Sequence, residues 1–361
     1  MSLSNDVQKQ RQEIKSDKMD MSFGEIINMY CDKEIIITPE YQRAFRWDVQ
    51  KQTDFIESIL LGIPFPSIFV AANDDGTWEL IDGLQRVSTV LSFFGELKGS
   101  DKNNLILSSG GLLQHLEGVS IGDLPVDLKL SIKRTPCRVE IIQKDSHFEM
   151  RYELFKRLNT GGEGLTPQEI RNCVFRGLPN FKTFTDAIET HSVNDNLRNI
   201  VIISQELEDK MLYEELCLRF FALRNFIGDY QEKSVQDFFD KIMKKQCEAP
   251  DTPLINETFS VFSQICAYLN TTAENVFRLS RLNFSTSMFD SIMLTLAPSS
   301  SSTPRLNIPV DELLIKIDEL KRNNEFKKYS GSASSSPGNI KRKTTIAEQI
   351  FFGIPDEADA N

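Results

Sequence analysis

Three short segments concentrate the residues able to handle phosphate. The tightest is Asp82-Gly83-Leu84-Gln85-Arg86-Val87-Ser88-Thr89, which follows a strand-like run and leads into a helical pattern. Gly83 permits a close backbone approach. The helix start offers free N–H groups at the positive end of its dipole, a ready anion site. Arg86 adds a planar fork for phosphate oxygens, and Ser88 or Thr89 can donate a hydroxyl. Asp82 can bind a divalent ion or orient a water, as phosphoryl chemistry requires, with Gln85 beside it as a second catalytic candidate. The spacing is not that of a Walker motif, and a capped helix after a turn would produce it as well.

The second segment is Pro39-Glu40-Tyr41-Gln42-Arg43-Ala44-Phe45-Arg46-Trp47. Arg43 and Arg46 among aromatic rings can hold phosphate or carboxylate while the rings cover a base, with Tyr41 and Gln42 alongside. A loop whose aromatics pack on the core and whose arginines form salt bridges fits the same letters. The third is Phe155 to Asn172, a helix end, the Gly-rich run Asn159-Thr160-Gly161-Gly162-Glu163-Gly164 and a helix start. Its backbone can curl around a ligand on which Asn159, Glu169, Arg171 and Asn172 converge; a helix–loop–helix corner with a glycine cap explains the glycines alone. Glu57 is the candidate second metal ligand beside Asp82, and Glu79 a further carboxylate near that turn.

These residues need a scaffold, and the pattern supplies one. Ser22-Phe23-Gly24-Glu25 is a capping box opening a helix to about Cys31. Glu34–Thr38 reads as a buried strand. Asp48 caps a helix with Phe55, Ile56, Ile59 and Leu60 on one face, stopped by Gly62 and Pro64. Ser67–Ala72 and Thr77–Ile81 form a hairpin around Asn73-Asp74-Asp75-Gly76, followed by a helix over 85–97. Cys137–Ile142 is another strand. Ser146 with Glu149 opens a helix through Leu158, and Thr166-Pro167-Gln168-Glu169 opens one that Gly177 ends. Beyond about residue 178 the pattern is helical, with long amphipathic runs at 206–226, 234–245 and 257–277, and with loops at 298–304 and 330–338. The expected architecture is α+β: a polar segment 1–20, a small mixed-sheet domain 21–176 and a mostly helical domain 177–361.

The bulk numbers set the class. A chain of 361 residues with 40% hydrophobic and 26% charged residues is ordinary for a globular protein. It has no apolar run long enough for a membrane span and no signal-peptide core, so a cytoplasmic location is expected and no membrane partner. The net charge of −11 argues against indiscriminate coating of DNA. It leaves open a local basic groove built from Lys321, Arg322, Lys327, Lys328, Lys341, Arg342 and Lys343, or simply a solvated charged surface there. The six cysteines lack Cys-x-x-Cys spacing and read as reduced, mostly buried thiols. Three scattered histidines make a dedicated His/Cys metal site improbable.

Together, Tyr41-Gln42-Arg43 with Trp47, Ile56 to Pro64, Asp82-Gly83-Leu84-Gln85-Arg86 and Asn159 to Asn172 resemble the amino-terminal domain family of GmrSD-type modification-dependent restriction enzymes. The resemblance spans about residues 20–176. It implies a ParB/sulfiredoxin-like fold, association with nucleotide hydrolysis, and defence against modified phage DNA. It also implies that Gly83 and Arg86 hold phosphates, that Asp82 serves a metal or water, and that Arg43 reaches the nucleotide. Leu84 departs from the family's Asp-Gly-Gln-Gln-Arg pattern; if that glutamine positions water, hydrolysis is slow or lost while binding survives. Many relatives carry or pair with an HNH nuclease domain, which the histidines here cannot supply.

The expected function is a nucleotide-binding sensor or regulatory subunit of a bacterial anti-phage system. It would take an NTP with Mg²⁺ and act through a protein effector encoded nearby, with NTP turnover and DNA contact possible. Two alternatives stand beside it: a ParB-like metal-dependent DNA nickase, and an interaction module without catalysis.

Overall fold

The computed structural model describes residues 3–5, 7, 15–37, 45–73, 75–143, 148–158, 165–272, 276–278, 284–299, 301–331 and 333–354, and every statement below concerns these. The architecture is α+β, with one five-stranded mixed sheet early in the chain and a helical region after it. The chain clusters into two units, Met1–Val174 and Phe175–Asn361.

The sheet comprises β1 (Ser16–Ser22), β2 (Ile35–Ile36), β3 (Ile68–Ala72), β4 (Trp78–Asp82) and β5 (Pro136–Ile142), in the order β1-β5-β3-β4-β2. β3 and β4 form the expected antiparallel hairpin, β5 runs parallel to β3, and β2 pairs in parallel with β4. One face of the central strands is fully buried, with Ile68, Val70, Leu80, Cys137 and Val139 at 0–1% exposure, while Phe69, Glu79 and Glu140 on the other face are half-buried and Arg138 exposed. That face accounts for the alternation of aliphatic with polar or half-exposed residues along them.

β1 is a correction to the sequence reading, which leaves 1–20 as a polar segment outside the sheet domain. Its residues pair antiparallel with β5, from Ser16 opposite Ile142 to Ser22 opposite Pro136. Five of its seven residues are exposed and only Met21 is buried. Backbone pairing and cross-strand ion pairs hold it: Lys18–Glu140 at 3.2 Å and Arg138–Asp20 at 2.7 Å.

The helices around the sheet start and stop where local chemistry dictates. α1 (Phe23–Cys31) is capped by the Ser22 hydroxyl, which accepts the Glu25 N–H. α2 (Val49–Leu61) is capped by Asp48 and ends at Gly62, whose φ is +71°. α3 (Leu84–Phe93) begins directly after β4 and stops four residues short of the expected Leu97. α4 (Val126–Arg134), α5 (Phe148–Leu158) and α6 (Pro167–Phe175) complete this unit. Ser146 lies outside the described residues. At α6 the capping box is reciprocal: the Thr166 N–H donates to Glu169 at 2.7 Å, and the Glu169 N–H donates to Thr166 Oγ1 at 3.3 Å.

The second unit has ten α-helices among the described residues: α7 (Phe181–Ser192), α8 (Asp195–Ile200), α9 (Gln205–Asp209), α10 (Leu212–Phe226), α11 (Val235–Glu248), α12 (Thr252–Asn270), α13 (Thr286–Leu296), α14 (Val310–Arg322), α15 (Asn324–Tyr329) and α16 (Pro337–Phe352). The 206–226 pattern is not one helix, because Met211 takes φ +61° and separates α9 from α10. The core contains a buried charge cluster: Arg219 forms a two-pronged pair with Asp290, and Lys343 donates to the Ser287 hydroxyl at 2.8 Å. The expected basic surface is therefore broken up. Lys343 is fully buried, Arg342 pairs with Glu325, and Lys321 and Arg322 pair with Asp318. The six cysteines are free thiols, and all but Cys31 are buried.

Candidate functional site

The turn from β4 into α3 is built around Gly83. Its φ of +96° is a left-handed conformation that costs an L-residue. A Cβ there would stand 2.6 Å from Ile68 Cγ2, so the first strand of the hairpin also forbids a side chain. The glycine thus lets the helix start press against the sheet. Gly83, the N-cap of α3, has no side chain with which to cap the helix.

Arg86 lies back over the same end of the sheet. Its guanidinium donates to Asp82 at 2.9 Å and to the Ser67 carbonyl at 3.1 Å, so it bridges the end of β4 and the approach to β3. Its Nε is buried and without a hydrogen-bond partner. Burial pushes the Asp82 carboxyl above its usual value, opposed by the Arg86 charge and an N–H from Gly83. Cys137, at the start of β5, is close enough to feel the Arg86 charge, yet burial prevails and raises its thiol to about 11, which makes it a poor nucleophile.

Gln85 has a different task from the expected catalytic one. Its side-chain oxygen accepts the backbone N–H groups of both Arg46 and Trp47, each at 3.0 Å. The rest of that segment is fastened too. The Trp47 carbonyl accepts from Gln52 at 2.9 Å, the Phe45 carbonyl accepts from Lys102 at 2.7 Å, and the Trp47 ring packs edge-on to Phe55. The Arg46 guanidinium pairs with Glu169, whose other oxygen closes the α6 capping box. Arg46, Gln85 and Glu169 therefore join the three sequence clusters in one network. Tyr41, Gln42, Arg43 and Asn159 lie outside the described residues, but residues 45–47, which follow the first three, are anchored at every peptide.

Several expected ligand residues are placed elsewhere. Ser88 is fully buried four residues after Leu84, on the same face of α3, and Leu84 belongs to the apolar core. The Thr89 hydroxyl donates to the Gln85 carbonyl within the helix. Arg171 is fully buried and donates to Gln168, which in turn donates to Asn172. Neither Arg171 nor Asn172 faces open space in this arrangement. Glu57 accepts the Leu112 and Leu113 N–H groups at 2.8 and 2.5 Å, pinning the turn at 110–113 rather than waiting for a metal. Glu79 is three residues from Asp82 along β4, so it projects from the opposite face of the strand. Among the described residues no three His, Cys, Asp or Glu side chains cluster for a metal ion.

Sequence reasoning missed Ser67, Gln52 and Lys102 as supports of the site, since nothing in their local pattern marks a long-range hydrogen bond. Glu169 was visible as a capping residue, and its pairing with Arg46 was not.

Residues 23–176 match the family model described as GmrSD restriction endonuclease, N-terminal domain. This segment is similar to GmrSD N-terminal domains. The match starts at α1 and ends just after α6, and so encloses the whole Arg46–Gln85–Glu169 network and the Gly83 turn. It links the chain to restriction-type defence. No curated protein and no solved structure matches the chain. No helix among the described residues is long and apolar enough to cross a membrane.

Proposed function

We propose that the GmrSD-like N-terminal domain of this chain binds a nucleotide through its phosphates, and that the chain serves as the sensing or regulatory part of a restriction-like defence system. The observation that carries this reading is the Gly83 turn. A helix start whose N-cap glycine offers no capping side chain and a half-buried arginine with an unsatisfied, buried Nε sit beside one carboxylate, at a sheet end that admits no side chain at position 83. Such a site attracts an anion by dipole and by charge-assisted hydrogen bonds.

In this reading the backbone at 83–84 and Arg86 hold phosphate oxygens, while Arg46 is held by Glu169 beside the site. Gln85 is a positioning residue, because it fixes where Arg46 and Trp47 stand. Asp82 is the carboxylate suited to meet Mg²⁺ carried in on the phosphates, a common mode for that ion; when bound, Mg²⁺ would neutralise charge on the phosphoryl oxygens. Glu57 is left out of the site. Leu84 faces the core, so in this chain water positioning falls to Asp82, and slow NTP turnover fits better than fast. Action on DNA then passes to a separate effector protein.

The test is titration calorimetry of the purified chain with each NTP and Mg²⁺, alongside phosphate release and plasmid nicking. Arg86→Ala should lose at least tenfold in affinity, since a charge-assisted hydrogen bond contributes about 1.5–3 kcal/mol. Asp82→Asn should impair turnover more than binding. Unchanged affinity in Arg86→Ala would dispose of the phosphate role. Metal-dependent nicking without NTP binding would replace it with the nickase reading.

A further inference from the structure

The helical unit contains a cavity of about 500 Å³ that the amino-terminal site does not involve. That volume is in the range of small-molecule sites. One face of α16 supplies Lys341, Thr344, Thr345 and Glu348, spaced to share a wall, and α10 supplies Arg224 while the loop after α13 supplies Arg305. Three cations thus face one carboxylate in a chain whose net charge is −11.

The cations are unequally committed. Arg305 pairs with Glu348 at 3.2 Å. Arg224 is 3% exposed and its terminal nitrogens donate to Asn225, Thr258, Glu257 and the Ser301 carbonyl, while its buried Nε has no partner among the described residues. The exposed Lys341 ammonium makes no ion pair or hydrogen bond among the described residues. The Thr344 and Thr345 hydroxyls donate to the Ile340 and Lys341 carbonyls of their own helix, so the anion-binding components of this polar cavity are the cations: a buried guanidinium with an orphan donor, a second guanidinium and a free ammonium. Leu223, Ile227 and Leu294 give the same cavity an apolar side.

We propose that this cavity is a second ligand site, independent of the Gly83 turn, which takes a small organic phosphate bearing adjacent phosphate groups. Lys341 and Arg305 hold the phosphates, Arg305 by sharing or leaving Glu348, the buried Arg224 charge supports them from the wall, and the apolar side receives the organic part. The site lets the helical unit respond to a metabolite by itself.

The experiment uses the full chain carrying Arg86→Ala, which silences the amino-terminal site, with pyrophosphate and ADP as probes in calorimetry. Both should still bind in that background. Adding Lys341→Glu, at an exposed position without partners, should weaken both at least tenfold with no change in melting temperature. Adding Glu348→Gln instead should tighten both several-fold, a gain that misfolding cannot imitate. The proposal is overturned if neither probe binds the Arg86→Ala chain, or if Lys341→Glu leaves affinity unchanged. Failure of nucleotide binding at Arg86 alone would not touch it.

Discussion

Replacing Gly83 with alanine isolates what the sheet-to-helix turn demands. Two penalties add. Holding an L-residue at φ +96° costs about 1–2 kcal/mol. The new Cβ, at 2.6 Å from Ile68 Cγ2, cannot be accommodated by a flexible chain end, because Ile68 is fully buried in a central strand. Such overpacking costs about 1–3 kcal/mol. Gly83→Ala should therefore lose about 3 kcal/mol in urea unfolding, with the amino-terminal unit melting roughly 6–12 °C lower. The two parts separate in a cycle. Ile68→Ala removes Cγ2 and costs about 2–5 kcal/mol by itself, but the double variant should recover about 1–3 kcal/mol relative to additivity. Gly83→Asn should keep the overlap and lose less from the dihedral, since Asn tolerates this region better than Ala. A loss under about 1 kcal/mol for Gly83→Ala, or strict additivity with Ile68→Ala, would refute the idea that the glycine is fixed by contact with β3.

Three further outcomes are expected. Burial holds the Lys343 amine down at about 8 instead of 10.5, with Asp290 pulling it up and Arg219 pushing it further down. Its charged form is therefore a cost in the folded state, fully present below pH 8 and relieved as pH rises towards 10.5. Lys343→Met should stabilise the chain by a few kcal/mol at pH 7 and by little at pH 10, as read by denaturation at both pH values. Asp82, whose carboxyl is raised, contributes most at low pH and loses that contribution as pH climbs through its folded value. Asp82→Asn should accordingly gain melting temperature relative to wild type between pH 4 and pH 7. Glu169→Gln breaks the ion pair with Arg46 and should cost about 1.5–3 kcal/mol. Glu169→Ala should cost about 1 kcal/mol more, because the capping bond to Thr166 goes too, and altered Trp47 emission would report loosening of the 45–47 segment.

Elements whose order is written locally were legible: the Ser22, Asp48 and Thr166 caps, the β3–β4 hairpin, β5 and the helical character of the second unit. The Asp82–Arg86 turn was legible for the same reason, since a strand, a glycine and a helix start are adjacent in the chain. β1 was not, because an edge strand with one buried side chain carries no alternation. The break at Met211 was hidden because its cause is a backbone conformation at an ordinary residue. In the site, residue type suggested phosphate contacts for Ser88, Arg171 and Asn172, yet helix phase and packing turn all three inward. Glu57 looked like a metal ligand until the remote turn at 110–113 supplied its partners. Polar letters say that a group can bind something; only the fold decides whether protein has already taken the role.

The pairing of β1 with β5 has a consequence for synthesis. Ser16 faces Ile142, so the first strand must wait while the ribosome adds the residues between them, roughly 6–25 s at the usual elongation rates. The β3–β4 hairpin and its neighbouring helices can form in that interval, whereas β1 can only dock once β5 has emerged. Until then the outer edge of β5 is open, and open edges recruit foreign strands. Arg138 and Glu140 carry charge along that edge, opposite Asp20 and Lys18. The same ion pairs that hold β1 in the finished sheet thus leave an unpaired β5 charged and poorly suited to apolar company while the nascent chain is incomplete.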